Sequence, residues 1–373
     1  MEAVAGIGCG SASASAAWRI GTGRSRAVGG AGGRGRVRVR VRAAGSSGSD
    51  VVEFEQVQGE KVRWAGDDPL AKFVSGLIAI KPLFSLLQTG AKNVMVRTAE
   101  KSGIPWKEMV EEMQASDVYA ELKTLENPAL VYPDYYIQPF HGYNTGNLSW
   151  EAAFDCEPAT RALWKRTFPA LDSWKEAGEL SRGNWADAID SHHASFSGGL
   201  PVGDVVDLGC STANSSRFLA DRFPTAQVTG LDLSPYFLAV AQRQEKDAMR
   251  KKPIRFVHAN AECTGLPSKS FDVVSIAYVL HECPQSASRK ILREAHRLLK
   301  PMGTLAITDQ SPKSKAIQKL HPALWILMKS TEPWLDEFYR LDLEAELQEC
   351  GFTNYRSVLT NPRHFTATAT AAM

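Results

Sequence analysis

Short apolar segments alternate with longer amphipathic ones from about residue 200 onward. The apolar segments predict five strands, at 203–209, 227–232, 254–257, 271–277 and 304–308. Such mostly apolar runs are typical of strands that are buried on both faces of a parallel sheet. The segments between them predict helices over 213–222, 235–249 and 286–300. The alternation of strand and helix predicts a doubly wound α/β sheet with right-handed crossovers.

The pattern changes toward the C-terminus. An acidic segment around 332–350 predicts a further helix, and residues 355–360 and 364–370 predict two strands that are separated by Asn361-Pro362. Two strands joined by so short a turn must be antiparallel, because a parallel return needs a long crossover. We therefore expect a mostly parallel sheet that ends in an antiparallel hairpin.

The N-terminal half has a different, mainly helical pattern. The apolar stretch Phe73–Leu87 is too short to cross a bilayer and predicts a buried or interfacial helix, which allows peripheral membrane contact. Further helices are predicted from Pro105 and over 151–195, whereas the aromatic segment 132–150 lacks helical periodicity. We expect a mainly helical N-terminal cap over 50–195 and a second domain, which contains the sheet, over 200–373.

Composition and charge divide the chain further. Its 373 residues are 44% hydrophobic and 23% charged, as in ordinary globular proteins. Residues 1–49 contain eight Arg and one acid and contribute +7 to the net charge of +2, so the rest carries −5. This mildly acidic body argues against a nucleic-acid partner. The six cysteines have no regular spacing, so we expect neither a metal site nor a disulfide framework.

The Arg-rich, acid-poor N-terminus has the composition of an organelle transit peptide. We expect residues 1–43 to be a disordered transit peptide that is cleaved at Ala43–Ala44. A chloroplast destination is favoured over a mitochondrial one. Two alternatives remain for this region, an edge strand formed by the alternating Val and Arg of 37–42 and a basic arm that binds nucleic acid.

Polar and small residues follow the predicted strands, where open α/β sheets bind their ligands. The first strand ends in Asp207-Leu208-Gly209, and Gly209 allows a ligand to approach the backbone closely. The second strand ends at Asp232, where a carboxylate can accept hydrogen bonds from both hydroxyls of a ribose. The third leads into 260–262, whose polar groups can meet an adenine edge. These residues together predict a ligand that contains adenosine.

These segments resemble the class I S-adenosylmethionine-dependent methyltransferases, in particular the small-molecule branch that includes quinone and sterol methyltransferases. The similar motifs are VVDLGCSTANSS, VTGLDLS, HANAECTGLPSKSFDVVSIAYVLHE and LLKPMGTLAITD. They cover roughly 200–310, and the terminal hairpin extends the resemblance to 373. One departure is that only Gly209 of the family's glycine-rich loop is kept, since Ser211 and Ala213 occupy the later glycine positions.

The resemblance implies S-adenosyl-L-methionine as the cofactor and a small, partly hydrophobic molecule as the methyl acceptor. The residues it assigns to the cofactor are Asp207, Gly209, Cys210, Ser211, Asp232, Leu233, Asn260, Ala261, Glu262 and Ala277. His281 is the candidate catalytic base, because its unperturbed pKa lies near neutrality. His141, Tyr143 and Glu282 are candidates for acceptor contact. Each of these residues also has a plainer interpretation, as a turn, a cap, a surface pair or a packing residue.

Two other classes of function are compatible with the pattern. One is a methyltransferase-like protein that binds the cofactor without catalysing transfer. The other is an α/β-hydrolase, with Ser211 as nucleophile in a strand-to-helix turn and with Asp309 and either His321 or His364 as partners. A NAD-dependent dehydrogenase is disfavoured, because the chain has no G-x-G-x-x-G motif.

Overall fold

The structure is a computed structural model that describes residues 36–41, 52–57, 81–320 and 322–372, together with isolated helical positions at 69, 72 and 76. The first two ranges are strands β1 (Arg36–Val41) and β2 (Val52–Val57), which pair in antiparallel fashion. Most of the expected transit peptide lies outside the described residues. Residues 36–41 form a strand and not the disordered chain that was expected there. This agrees with the alternative of an edge strand over 37–42.

The N-terminal half contains five helices between residues 81 and 196. They are α1 (Lys81–Lys101), α2 (Trp106–Ala115), α3 (Val118–Leu125), α4 (Trp150–Thr167) and α5 (Trp174–Phe196). The side chains of Ser149 and Ser173 cap α4 and α5 by accepting hydrogen bonds from backbone N–H groups in the first turn. The helix predicted over 73–87 is described continuously only from Lys81. No helix in the described part of the chain combines the length and apolarity that a membrane crossing requires.

Seven strands form the main sheet. They are β3 (Asp204–Leu208), β4 (Gln227–Asp232), β5 (Arg255–His258), β6 (Phe271–Ala277), β7 (Leu299–Gln310), β8 (Phe352–Leu359) and β9 (His364–Ala371). Their order across the sheet is β5-β4-β3-β6-β7-β9-β8. Strands β3 to β7 are parallel, and β9 pairs antiparallel with both β7 and β8. The predicted doubly wound sheet with an antiparallel hairpin is confirmed.

Helices cover both faces of this sheet, which explains why its strands are apolar at successive positions. Val205 and Val273 point to a core shared with Trp185 of α5, whereas Val206 and Val274 belong to the opposite core. The remaining helices are α6 (Asn214–Arg222), α7 (Pro235–Ala248), α8 (Gln285–Leu298), α9 (Lys315–Gln318), α10 (Pro322–Thr331), α11 (Leu335–Arg340) and α12 (Leu343–Glu349).

Two element boundaries differ from the predictions. The helix predicted over 286–300 ends at Leu298, because the buried Leu299 pairs with Phe271 and starts β7 there. The acidic helix predicted around 332–350 is two helices, α11 and α12. The backbone of Leu341 is extended, and Asp342 caps α12 by accepting a hydrogen bond from the N–H of Ala345.

Helix α5 packs directly on the sheet, although it belongs to the region predicted as cap. The Nε2 of His192 lies 3.0 Å from the hydroxyl of Thr370 on β9, and the Nδ1 of His193 lies 3.0 Å from the hydroxyl of Thr304 on β7. These four side chains are buried. Helix α5 therefore anchors the N-terminal half of the chain on the sheet.

Candidate active site

A cavity of about 920 Å³ lies at the carboxyl ends of the sheet strands. Its floor consists of residues that follow β3, β4, β5 and β6, and its walls come from α1, α4 and the aromatic segment 135–147. Met328, Thr331 and Glu332 close the side next to β7. Parallel strands bring their carboxyl ends to one edge, which is why residues distant in sequence meet here.

The loop between β3 and α6 has an unusual backbone. Gly209, Ser211 and Ala213 all have positive φ, at 73°, 51° and 63°. A Cβ atom at Gly209 would lie 2.4 Å from Cγ2 of Val279, so this position requires glycine for space as well as for conformation. The N–H groups of Gly209 and Cys210 both donate to the carbonyl of Leu231, at 2.7 and 2.9 Å. The loop is thereby held against the end of β4.

Asp232 at the end of β4 is buried and lines the cavity. Its Oδ2 accepts a hydrogen bond from the N–H of Ser211 and its Oδ1 one from the N–H of Ser234, both at 2.7 Å. Burial raises the pKa of Asp232 to about 6, although these two hydrogen bonds act in the opposite direction. The hydroxyl of Tyr136 also hydrogen-bonds this carboxylate and lowers its pKa. The acceptor capacity that remains is available to a ligand, because a carboxylate oxygen can take two hydrogen bonds.

Asp207 does not reach the cavity wall. It is fully buried, and its carboxylate accepts hydrogen bonds from the hydroxyls of Ser215, Ser216 and Ser275 at 2.7 to 2.9 Å. Burial raises the pKa of Asp207, while the three hydroxyls lower it. The structure therefore places Asp207 as a brace between the first turn of α6 and the neighbouring strand β6, the plainer interpretation of this residue.

Most of the other predicted cofactor residues meet on the cavity wall. They are Gly209, Cys210, Ser211, Leu233, Asn260, Ala261 and Ala277. Glu262 is the exception. It accepts a hydrogen bond from the hydroxyl of Tyr135 at 2.8 Å and pairs with Lys290 at 2.9 Å, so it faces away from the cavity.

His281 lies in a short 3-10 turn after β6 and lines the cavity. Its Nδ1 is 2.6 Å from Oδ1 of Asp309, a residue with no accessible surface near the end of β7. Burial lowers the pKa of His281, but the charge of Asp309 outweighs this and leaves the pKa raised. The contact fixes the imidazole and leaves Nε2 as the nitrogen available to the cavity. This arrangement of acid and imidazole is the one that general-base catalysis uses.

Two predicted acceptor residues, Glu282 and His141, also meet on the wall. An oxygen of Glu282 lies 3.6 Å from Nε2 of His141, and its other oxygen accepts a hydrogen bond from the amide of Asn147 at 3.5 Å. Burial raises the pKa of Glu282 to about 8 and lowers the pKa of His141. At neutral pH both groups are therefore largely uncharged.

Tyr143 lines the cavity, but its hydroxyl is already engaged. It donates to Oδ2 of Asp155 at 2.7 Å, and Trp106 donates to the other oxygen at 2.7 Å. Lys92 forms an ion pair with the same carboxylate at 2.6 Å and lies over the Tyr143 ring. Tyr143 therefore belongs to a charged cluster that ties α1 to α4, and its ring is the part it offers to a ligand.

The structure does not assemble the hydrolase alternative. The hydroxyl of Ser211 lies 3.1 Å from the thiol of Cys156. Asp309 is paired with His281, and Nδ1 of His364 contacts Asn361 at 2.8 Å. Within the described part of the chain, no histidine contacts Ser211, and His321 lies outside it.

Several cavity residues were missed by the sequence analysis. Tyr136 lies beside Asp232, and Glu332, Arg166 and Arg363 line the far end. Asp309, which the sequence analysis named only as a partner in the hydrolase alternative, does not line the cavity but holds His281 there. Nothing in the local sequence marks the other four, since loops and helix ends bring them to the cavity.

Comparison with known proteins agrees with this geometry. Residues 205–303 match the family model described as "Methyltransferase domain". The chain is 38% identical over 109 residues to a demethylmenaquinone methyltransferase of Listeria welshimeri, which covers 29% of this chain and 45% of the relative. It is 31% identical over 141 residues to a protein of the same name from Lactococcus lactis, covering 38% and 54%. The chain thus spans about half the length of the curated relatives it matches.

A solved structure of a putative S-adenosyl-L-methionine-dependent methyltransferase from Methanococcus maripaludis is also similar. It is 17% identical, covers 61% of this chain and 94% of that chain, and has a TM-score of 0.43. The family match covers the strands and loops that carry the Asp232 end of the cavity. The sequence of residues 205–303 is therefore similar to that of methyltransferase domains.

Proposed function

We propose that the protein is an S-adenosylmethionine-dependent methyltransferase that acts on a small, partly hydrophobic acceptor. The observation that carries the proposal is the position of Asp232. Its carboxylate is buried, fixed by two backbone N–H groups and presented to a cavity of about 920 Å³. A carboxylate at this strand end suits the two hydroxyls of a ribose.

The neighbouring residues fit an adenosyl group. Leu233 supplies an apolar wall beside Asp232, and Asn260 and Ala261 follow the next strand of the sheet. Between β3 and α6, Gly209 keeps the backbone free of a side chain. When bound, S-adenosylmethionine supplies a methyl group that is already activated by its positive sulfur. The work left to the chain is to orient the acceptor, exclude water and move a proton.

His281 is placed for the proton step. Asp309 holds Nδ1 of the imidazole, so Nε2 of the uncharged imidazole, which forms as the pH rises above neutrality, can take a proton from an acceptor hydroxyl or ring carbon that lies in the cavity. Glu282 and His141, which are largely uncharged at neutral pH, offer hydrogen bonds to the same acceptor. The apolar side chains of α1 and α4 favour an acceptor with a hydrophobic body. The quinone substrate class named for the relatives is compatible with this wall.

The test is binding of S-adenosylhomocysteine, measured by isothermal titration calorimetry. We expect the wild type to bind it and Asp232→Asn to bind it about tenfold to a hundredfold more weakly, since hydrogen bonds to a charged group contribute about 1.5–3 kcal/mol. Asp204→Asn is the matched control, because Asp204 begins β3 at the opposite edge of the sheet and is half exposed. Equal affinity of the wild type and Asp232→Asn would refute the proposal.

We also propose that the protein is imported into chloroplasts. The support is the N-terminal composition, with eight Arg and one acid in residues 1–49. The described strand β1 falls within this region. Import does not depend on the methyltransferase proposal, since the N-terminal segment precedes the matched domain.

A further inference from the structure

Three arginine side chains from α4, α5 and the turn before β9 line the cavity and lie near His364. They are Arg166 at the end of α4, Arg182 on α5 and Arg363 in the turn before β9. All three lie close enough to His364 for their charges to lower the pKa of its imidazole. We call this group the arginine end of the cavity.

These guanidinium groups have few partners. In the described ranges, the side chains of Arg166 and Arg363 make no hydrogen bond and no ion pair. Arg182 is only 4% accessible, and its Nε and Nη1 find no hydrogen-bond partner among the described residues. A buried donor without a partner is costly, and native proteins usually satisfy such groups with a ligand, a water or an ion.

Aromatic rings surround Arg182. Its guanidinium carbon lies 5.3 to 5.9 Å from the ring centroids of Trp164, Trp185, Phe218 and Tyr278. Such contacts favour the cation and screen it from water. They leave its N–H groups unsatisfied, because a ring face is a weaker acceptor than an oxygen. Arg182 is thus held as a charged donor at the cavity wall.

The nearby carboxylates do not neutralise this end. Asp309 is paired with His281, and Asp207, which three serine hydroxyls hold in place, offsets only the charge of Arg182. Glu332 faces Arg166, but burial raises its pKa and it accepts a hydrogen bond from Gln310 at 3.1 Å. Burial lowers the pKa of Arg363 to about 10, so this side chain remains charged at neutral pH. Positive charge is left in excess.

The strand order separates this end from the site of the adenosyl group. Asp232 ends β4, and Arg363 precedes β9, which is four strands away in the order β4-β3-β6-β7-β9. At about 4.8 Å between neighbouring strands the two positions are roughly 19 Å apart across the sheet. His281 follows β6 and lies between them. A molecule that reaches both His281 and Arg363 is therefore the acceptor.

We propose that the arginine end binds an anionic group, a carboxylate or a phosphate, of the methyl acceptor. The acceptor is then an amphiphilic acid whose apolar body lies along the cavity wall and whose anion is held by Arg363 and Arg166, with Arg182 behind them. The inference rests on the proposed function. The amino-acid carboxylate of the methyl donor is the other source of the same chemistry, because Arg182 also acts on Asp207 at the end of β3.

The test uses the full chain saturated with S-adenosylhomocysteine and ligand-observed NMR titrations. The probes are 3-phenylpropionate and 2-phenylethyl phosphate, with 3-phenylpropanamide as their uncharged counterpart. We expect at least one of the anions to bind about tenfold tighter than the amide. Arg363→Gln should remove this difference and leave the affinity for S-adenosylhomocysteine within twofold. Arg166→Gln should act in the same direction, and Arg340→Gln, on the exposed surface of α11, is the control.

Two results would overturn the inference. One is that neither anion binds more tightly than the amide, which includes the case in which no probe binds. The other is that Arg363→Gln and Arg166→Gln weaken S-adenosylhomocysteine instead of the probes, because the bound anion would then be the donor's own carboxylate. Failure of the wild type to bind S-adenosylhomocysteine is a different outcome and refutes the proposed function itself. Melting curves of each variant identify any loss of folding.

Discussion

The contact between His281 and Asp309 determines when the imidazole can act as a base. Burial alone would lower the pKa of His281, yet the carboxylate 2.6 Å from Nδ1 leaves it raised above 6.5. The imidazole is therefore mostly protonated at neutral pH. Its basic form becomes available as the pH rises, so kcat/KM should increase from neutral to alkaline pH.

Replacing Asp309 should shift the pH dependence of kcat/KM. In Asp309→Asn the imidazole loses its counter-charge, so the pKa of His281 falls and the rise in kcat/KM shifts to lower pH. The maximum rate should also fall, because the imidazole is less well oriented. His281→Ala should lower kcat by a hundredfold or more, within the range of about 10²–10⁴ for general bases. It should leave S-adenosylhomocysteine affinity within twofold.

The measurement is a pH profile of kcat/KM for the wild type and both variants. His296→Ala is the control, since His296 packs against Phe352 on the far side of α8. A profile that keeps its midpoint in Asp309→Asn would show that another group takes the proton. Unchanged kcat in His281→Ala would exclude His281 from the chemistry.

At the scale of elements, the loop between β3 and α6 tolerates no side chain at Gly209 without a clash. We expect Gly209→Ala to lower the free energy of unfolding by about 1–3 kcal/mol more than Gly265→Ala does, because only the former forces a methyl group against Val279. Both glycines have φ near 70°, so both substitutions share the cost of the left-handed backbone, about 1–2 kcal/mol. Gly265 has open space around its Cβ position and isolates that shared cost.

Urea unfolding of the two variants provides the comparison, since the midpoint and slope give the free energy of unfolding directly. Equal destabilisation would mean that Val279 moves aside without cost. A Gly209→Ala variant that is stable but binds S-adenosylhomocysteine more weakly would instead show that glycine is needed there mainly for ligand binding.

The elements of the sheet could be predicted because burial on two faces leaves a simple pattern. Each predicted strand from 203 to 308 overlaps the observed strand, and the turn at Asn361-Pro362 correctly indicated an antiparallel hairpin. The break at Leu341 within the acidic segment escaped prediction, since neither glycine nor proline marks it. Tertiary contacts rather than local propensity decide that boundary.

The site was predictable to the extent that it follows from strand ends. Asp232 is the last residue of one strand, Asn260 follows shortly after the next, and both lie on the cavity wall. Glu262 is only two residues further, but its hydrogen bond with Tyr135 turns it away. Arg166 and Arg363 reach the cavity from a helix end and a turn whose position depends on the packing of the whole chain. No spacing rule applied to one sequence could have placed them together.

At the scale of the whole molecule, charge is distributed unevenly along the chain. Residues 1–49 carry +7 and the remainder −5, so the two parts would suit different partners. A basic N-terminal segment is typical of proteins that are imported into organelles. The acidic remainder of the chain would repel nucleic acid. The proposed chloroplast import explains this division without any role for the basic segment in catalysis.

A fusion of residues 1–60 to a fluorescent reporter tests the import proposal in plant cells. We expect fluorescence in chloroplasts, and a fusion with Gln in place of the eight arginines should stay in the cytosol. If the reporter is found in mitochondria, the segment is a transit peptide but its destination is the mitochondrion and not the chloroplast. Cytosolic fluorescence of the unaltered fusion would refute it.

The turn between β8 and β9 belongs to the last segment of the chain, beyond the matched family domain. It contributes Arg363 to the cavity, next to His364 at the start of β9, and it lies four strands away from the end of β4 that carries Asp232. Under the proposed function, selectivity for the acceptor can therefore change by replacing a few residues in this turn, while the residues proposed to bind the methyl donor stay the same. Exchanging the C-terminal segment between related proteins would then change the acceptor that is bound.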